Sequence, residues 1–141
     1  MATIVTIAGL NDEIKKRVNK ALKEKVAPYI RDELTNQIQK NVYDAYDPVV
    51  YQRRGENGGL IDKDNFVTEF NEDNCSVYVH DDAKASSEGL GMPLDQAIEY
   101  GYGNRLNAYN RPRPFISPTQ SKVDTDVGII QQMIVDSING K

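Results

Sequence analysis

The chain has 141 residues and a formal net charge of −4. That length suffices for one domain with a buried core and no disulfides, and the acidic balance argues against tight binding of duplex nucleic acid. The lone Cys75 excludes an intrachain disulfide and favours a cytosolic setting. The N-terminal residues lack the pattern of a signal peptide, and no apolar run approaches the ~18 residues of a membrane span, so we expect neither export nor insertion.

The first residues are rich in β-branched side chains. Residues 3–7 are all Thr, Ile or Val, and the run stops at Ala8 and Gly9. Residues 1–9 therefore predict either a core strand or a terminal arm that pairs with a sheet edge of a neighbouring subunit.

A long helix is predicted next, because an apolar residue recurs at every fourth position from Ile14 to Val42. Asn11 is the predicted N-cap. A four-residue repeat drifts by about 40° per step, so the stripe winds around the helix and cannot all face one sheet. Pro28 predicts a kink or break near 25–28. We expect the second half of the stripe to face a sheet; part of the stripe is alternatively a subunit interface.

Residues 44–64 are rich in Asp, Pro, Tyr, Gly and Asn, which predicts a long loop. Its glycines lack the Gly-Lys-Ser/Thr ending of a phosphate-binding loop. Residues 66–70 and 75–80 then alternate apolar and polar side chains around a polar turn, which predicts an antiparallel hairpin. Residues 81–92 have no period and predict a polar loop.

Two helices are predicted in the last third of the chain. Pro93 opens the first and Gly101 ends it. Ser117 is the predicted N-cap of the C-terminal helix, which carries an apolar stripe from Val123 to Ile138. The acidic stretch 123–126 is expected to interrupt its first turns.

No residue pattern points to catalysis. His80 is the only histidine, and on its strand we expect it to face solvent or a neighbour. Cys75 has no Cys-x-x-Cys partner or local basic cluster, so we expect a buried small apolar residue. Asp124 and Asp126 lie near a helix start, where acids more often stabilise the positive end of the helix dipole than hold a cation. We therefore predict a non-enzyme with no catalytic, cofactor-binding or metal-ligating residues.

Arginine is concentrated in two places, at 53–54 and at Arg111-Pro-Arg113-Pro. These side chains are either solvated loop charges or docking groups that grip carboxylates of another subunit. The flanking prolines hold the second segment extended, which lowers the entropy lost on binding. Tyr51 and Tyr102 lie close to the same segments, as is typical of protein-contact surfaces.

Residues 46–60 and 98–118 together resemble elements of a family of small neck proteins of tailed bacteriophages, the tail-completion or head–tail connector type. The first runs from Tyr-Asp-Pro-Val-Val-Tyr to Gly-Gly-Leu, and the second from Ile-Glu-Tyr-Gly-Tyr-Gly to Arg-Pro-Arg-Pro-Phe-Ile-Ser-Pro. The two lie in the order in which the family has them.

This resemblance implies a single α+β domain over residues 1–141, in which N-terminal and C-terminal helices pack on a small antiparallel sheet. It also implies a ring, expected to be hexameric, in the virion neck after assembly in the host cytoplasm. Its partners would be portal-connector or head-completion proteins on one side and tail terminator or tube proteins on the other. DNA would pass through the lumen without specific binding, since an acidic wall does not adsorb phosphates. Neither a membrane nor a cofactor is implied.

The contact elements implied by the resemblance are the loops 44–64 and 101–116. Four arginines would act as ionic anchors and one phenylalanine as an apolar peg. The implied contact residues are Tyr51, Arg53, Arg54, Tyr102, Arg111, Arg113 and Phe115. Two alternatives stay open: a tail terminator or minor tail protein of similar size, and a small nuclease-like phage enzyme, which would need clustered acids or a second histidine.

Overall fold

The computed structural model describes residues 6–44, 59–83, 93–101 and 112–140. The helices are α1 (Ile7–Ala21), α2 (Ala27–Ile38), α3 (Leu94–Tyr100), α4 (Ile116–Thr125) and α5 (Val127–Ile138), and the strands are β1 (Phe66–Asn71) and β2 (Ser76–Asp81). Two π-helical turns, Leu22–Val26 and Gln39–Tyr43, follow α1 and α2, and a 3-10 turn, Lys63–Asn65, precedes β1. The predicted α+β class is confirmed. The single-domain assignment stays a prediction.

The chain is already helical at Ile7. Thr6 is the N-cap, with extended φ and ψ of −136° and 159°, and its Oγ1 accepts a hydrogen bond from the backbone N–H of Gly9 at 2.9 Å. The hydroxyl satisfies an N–H that has no partner inside the helix, and this local cap outweighs the β preference of its neighbours. The predicted N-cap at Asn11 and the strand or arm over 7–9 are therefore wrong, and residues 1–5 lie outside the described ranges.

The helix widens between α1 and α2. The backbone N–H of Ala27, the residue before Pro28, donates a hydrogen bond to the carbonyl of Leu22, which lies five residues earlier in the chain. Proline lacks an N–H and crowds the preceding turn, and a wide turn accommodates it. The irregularity predicted near 25–28 is confirmed as a π-turn, and the helix is not broken.

The two halves of the long helix face different partners. The second half places Leu34, Ile38 and Val42 in the core, as predicted. Arg31 donates hydrogen bonds to the Phe66 carbonyl at 3.1 Å and to Thr68 Oγ1 at 3.0 Å, which ties α2 to β1. The core consists of Leu34, Ile38, Val42, Leu60, Phe66, Ala83, Leu94, Ile98 and Phe115.

The predicted hairpin forms, and its strands pair from Phe66 opposite Asp81 to Asn71 opposite Ser76. Cys75 is an exception, because it lies in the turn with a φ of 50° and is only half-buried. The prediction of a buried strand cysteine is wrong: the turn needs a residue with positive φ, which lifts this side chain out of the pleat.

The C-terminal helix is split at Asp126, whose φ and ψ are −89° and 20°. This confirms the predicted interruption. The Tyr29 hydroxyl donates to Asp126 at this break, while Ser137 Oγ donates to the Arg17 carbonyl at 2.9 Å near the other end of α5. Helix α5 is thus antiparallel to the N-terminal helix, and the first turns of α1 extend beyond its end. Across the described ranges, no helix is both long and apolar enough to cross a membrane.

Candidate functional site

A buried carboxylate joins α3 to the start of α4. Glu99 is buried, with only 3% of its surface exposed. Its Oε2 accepts hydrogen bonds from the backbone N–H groups of Phe115 at 2.7 Å and Ile116 at 2.8 Å. Its Oε1 accepts from the backbone N–H of Ser117 at 3.1 Å and from the hydroxyl of the same residue. Glu99 therefore caps α4 from another helix, and Ser117 is not the N-cap predicted from the sequence.

The cap is electrostatically favourable. The first N–H groups of a helix lack internal partners and lie at the positive end of its dipole. Burial raises the pKa of Glu99, but the hydrogen bonds from Ser117, Ile116 and Phe115 outweigh it, so the net pKa is lowered. Because the carboxylate stays ionised, both ends of segment 101–116 are held close together. The backbone N–H of Arg113 adds a bond to the Ile98 carbonyl at 2.8 Å.

Phe115 lies inside the chain's own core, with 0% of its surface exposed. The expectation of an exposed apolar peg at this position is therefore corrected. The Glu99 cap explains the outcome, because it fixes the Phe115 backbone at the helix start and directs its ring inward. Burying a phenylalanine side chain in a packed core stabilises the folded protein by about 1.5–3 kcal/mol relative to leaving that side chain exposed.

Of the predicted contact residues, the structure describes only Arg113 and Phe115, which lie on the same short segment. Arg113 is half-buried between two exposed prolines, so its position is compatible with contact to another chain. The residues Tyr51, Arg53, Arg54, Tyr102 and Arg111 lie outside the described ranges. Their role as contact residues stays a prediction.

Exposed apolar side chains are concentrated on the antiparallel pair α1 and α5, which we call the helix-pair arm. Helix α5 has no buried residue. The exposed large apolar residues of the arm are Ile7, Leu10, Ile14, Val127, Ile129 and Val135. An apolar helix that is covered on only one side exposes surface typical of a contact with another protein.

The sequence-based prediction missed two of the three exposed apolar residues of α5. The predicted stripe on the C-terminal helix included Val127 but neither Ile129 nor Val135. These two residues lie on other faces of α5 and are 51% and 45% exposed. The sequence could have indicated this exposure, because the apolar residues of this helix occupy more than one stripe.

Charged side chains connect α1 and the π-helical turn that follows it to the turn of the hairpin. Lys23 Nζ contacts Glu72 Oε1 at 2.6 Å, and Lys15 Nζ lies 3.9 Å from Asp73 Oδ1. The hydrogen bond from Lys23 lowers the pKa of Glu72. Such exposed pairs contribute little to stability, but they fix the side of α1 on which the hairpin turn lies.

His80 is on the outer face of the hairpin, as predicted for a residue facing solvent or a neighbour. Its Nδ1 lies 3.0 Å from Asp82 Oδ1, its Nε2 lies 3.6 Å from Glu69 Oε1, and its ring stacks on Tyr78 with 5.4 Å between centroids. Within the described part of the chain, no group of three or more His, Cys, Asp or Glu side chains is arranged to hold a metal ion.

Comparison with known proteins identifies the family. The model of the family described as YomN matches residues 6–139. Comparisons with curated proteins and with solved structures gave no match. The matched residues span nearly the whole chain. The chain therefore belongs to the YomN family, a phage-associated family derived from Bacillus phages.

Proposed function

We propose that this protein is a structural component of the phage neck, which forms a ring that completes the tail and joins it to the head connector. Membership of a phage-derived family over residues 6–139 supports a role in a phage particle. The order of the elements, a long N-terminal helix followed by a small antiparallel sheet and a C-terminal helical pair, agrees with the fold that the neck resemblance implies.

The single observation that carries the proposal is the helix-pair arm. Ile129 and Val127 each expose about half of their surface, and Ile7 exposes 79%. A monomeric protein rarely leaves several large apolar residues exposed on one pair of helices, because burying each against a partner is favourable by about 25 cal/mol per Å². A ring of identical subunits supplies such a partner on every copy.

An adaptor of this kind works by presenting contacts from a rigid body. The Glu99 cap anchors the end of segment 101–116, and the half-buried Arg113 emerges next to it. Contacts to neighbouring copies, to the connector above and to the tail tube below would then involve the basic segments at 53–54 and 111–113. The net charge of −4 suits a lumen through which DNA passes without adsorbing.

The first test is deletion of the gene in its phage, with electron microscopy of the particles. We expect filled heads and finished tails that are not joined, and restoration of joined virions when the gene is supplied in trans. Joined, infectious virions from the deletion strain would overturn the proposal. Tracing the polypeptide in a map of the intact virion separates a neck ring from a tail terminator, because the two lie at different levels.

The second test addresses the helix-pair arm. The change Ile129→Glu places a charge on its exposed apolar surface, and Gln131→Glu places the same charge on an exposed polar position of the same helix. We expect Ile129→Glu to lower complementation of the deletion at least tenfold and Gln131→Glu to leave it unchanged. Circular dichroism of both purified variants checks that α5 is retained. Equal complementation by both would argue against the arm as a contact surface.

A further inference from the structure

A narrow groove of about 130 Å³ lies between α2, β2, α3 and α4. Its walls include the apolar side chains of Ile30, Leu34 and Val79, and its polar side includes Asp81 and Asp95. The volume is close to that of the ~150 Å³ cavity that holds a benzene-sized ligand, so one long side chain fits and a helix does not. We call it the acidic groove.

The carboxylate of Asp81 is only half-satisfied. The residue is 4% exposed, and its Oδ1 accepts a hydrogen bond from the backbone N–H of Ala83 at 2.9 Å. Its Oδ2 is buried and has no hydrogen-bond partner among the residues that the structure describes. A buried acceptor without a donor costs about 1–3 kcal/mol, so native structures rarely retain one unless something binds there.

The surroundings of Asp81 favour a cation. Asp62, Asp82 and Asp95 are close enough to raise its pKa further, beyond the larger effect of burial. Among the described residues, His80 lies on the outer face of β2 and already contacts Asp82. A metal is disfavoured, since the described side chains form no group of three ligands. A guanidinium suits the groove better, because it is always charged, can donate to two carboxylates at once and brings an apolar stem for the walls.

We propose that the acidic groove receives an arginine side chain from a second copy of this chain. The inference rests on the proposed ring, in which a head-to-tail contact requires two different, complementary surfaces on each copy. The chain supplies the complement, since its arginines are concentrated at 53–54 and 111–113 in an otherwise acidic sequence. The guanidinium donates to Asp95 and, once the buried carboxylate turns toward the groove, to Asp81 Oδ2, while the stem lies along Ile30 and Val79.

The test is a charge swap, read by complementation of the deletion strain so that association of the isolated protein is not required. Asp95→Lys places a cation at the groove, and Asp32→Lys makes the same charge change on an exposed position of α2 outside it. We expect Asp95→Lys to lower plating at least tenfold and Asp32→Lys to leave it unchanged. Asp81→Asn, which keeps shape and removes charge, should lower plating as well.

The swap is completed by reversing the arginines. We expect Asp95→Lys combined with either Arg53→Glu and Arg54→Glu or Arg111→Glu to recover at least part of the plating that each change loses alone. Recovery identifies the basic loop that binds. No recovery with either loop would overturn the proposal, as would normal plating by Asp95→Lys.

An arginine of the same copy is the main competing occupant. If the groove is filled from within, Asp95→Lys and the matching arginine change should each lower the unfolding midpoint of the dilute monomer by the same amount, and this result would also overturn the proposal. Failure here leaves the neck assignment intact provided that the gene deletion still separates heads from tails. If the deletion has no effect, the assignment itself fails.

Discussion

The two ends of this molecule bury their apolar side chains to different degrees. Around α2, the hairpin, α3 and α4, Phe115 and Ile38 are fully buried and Glu99 is fully hydrogen-bonded. In the helix-pair arm, α5 buries none of its residues completely. The contrast suggests that the chain folds around the first end, and that the second end depends on contacts with other proteins to cover its apolar side chains.

Two carboxylates within the first end, which is built from α2, the hairpin, α3 and α4, differ in how many hydrogen bonds they receive. Glu99 receives hydrogen bonds to both carboxylate oxygens, whereas one oxygen of Asp81 receives none from the described part of the chain. A satisfied buried carboxylate stabilises the fold, and a half-satisfied one destabilises it until a donor arrives. The difference separates a residue that holds the structure together from one that is available to a ligand.

The largest expected effect is at Phe115. We expect Phe115→Ala to lower the free energy of unfolding by about 3–5 kcal/mol, because it leaves a cavity in the core. The matched change in the arm, Val135→Ala, should cost less than about 0.5 kcal/mol, since that side chain is already 45% exposed. Urea unfolding followed by circular dichroism measures both. Similar losses would remove the distinction between the two ends.

Removing the α4 cap should come next. We expect Glu99→Ala to cost about 3 kcal/mol, because it leaves the buried N–H of Phe115 and the half-buried N–H of Ile116 without an acceptor. Glu99→Gln keeps one acceptor oxygen and should cost less.

The Glu99 contribution also depends on pH. Its folded pKa lies below the unfolded value, so the stabilisation is present above the unfolded pKa and is lost as the pH falls through the folded pKa. Unfolding curves between pH 7 and pH 3 should therefore show a smaller acid-induced loss for Glu99→Gln than for the unchanged protein. Parallel pH profiles would contradict the ionised cap.

Asp81 should show the opposite dependence. Burial, partly offset by the Ala83 N–H, raises its pKa to about 7. Because the folded pKa lies above the unfolded value, the associated stability is fully present below about pH 4 and is lost as the pH rises through about 7. We expect Asp81→Asn to be more stable than the unchanged monomer by about 2 kcal/mol at pH 8, after allowance for partial solvation of the site. A destabilised variant at pH 8 would show that the charge is already paired.

The smallest expected effect concerns the junction between the two ends. Tyr29→Phe removes the hydrogen bond to Asp126 and should lower the unfolding midpoint by less than the other changes do. Burial and this hydrogen bond raise the pKa of Tyr29 to about 12. Because the folded pKa lies above the unfolded value, the stabilisation of the fold by Tyr29 is present below about pH 10 and is lost as the pH rises through about 12. Absorbance titration should show one fewer late-titrating tyrosine in Tyr29→Phe.

Local patterns predicted much of the fold. The stripe at Leu34, Ile38 and Val42, the hairpin and the break at Asp126 are all present, because each depends on residues that are neighbours in sequence. The cap by Glu99 could not be predicted, since it joins residues from different helices across segment 101–116. The same contact decides the burial of Phe115, which the resemblance to neck proteins placed on a contact loop.

The wide turn at Leu22–Val26 has a consequence for how α1 is oriented. One extra residue in a helical turn rotates everything before it by about 100° relative to everything after. Without that rotation, the apolar residues of α1 and the lysines beside the hairpin would point in other directions. One inserted residue thus gives the two parts of a continuous helix different roles. The second part packs into the protomer's interior, and the first part exposes apolar side chains at the surface.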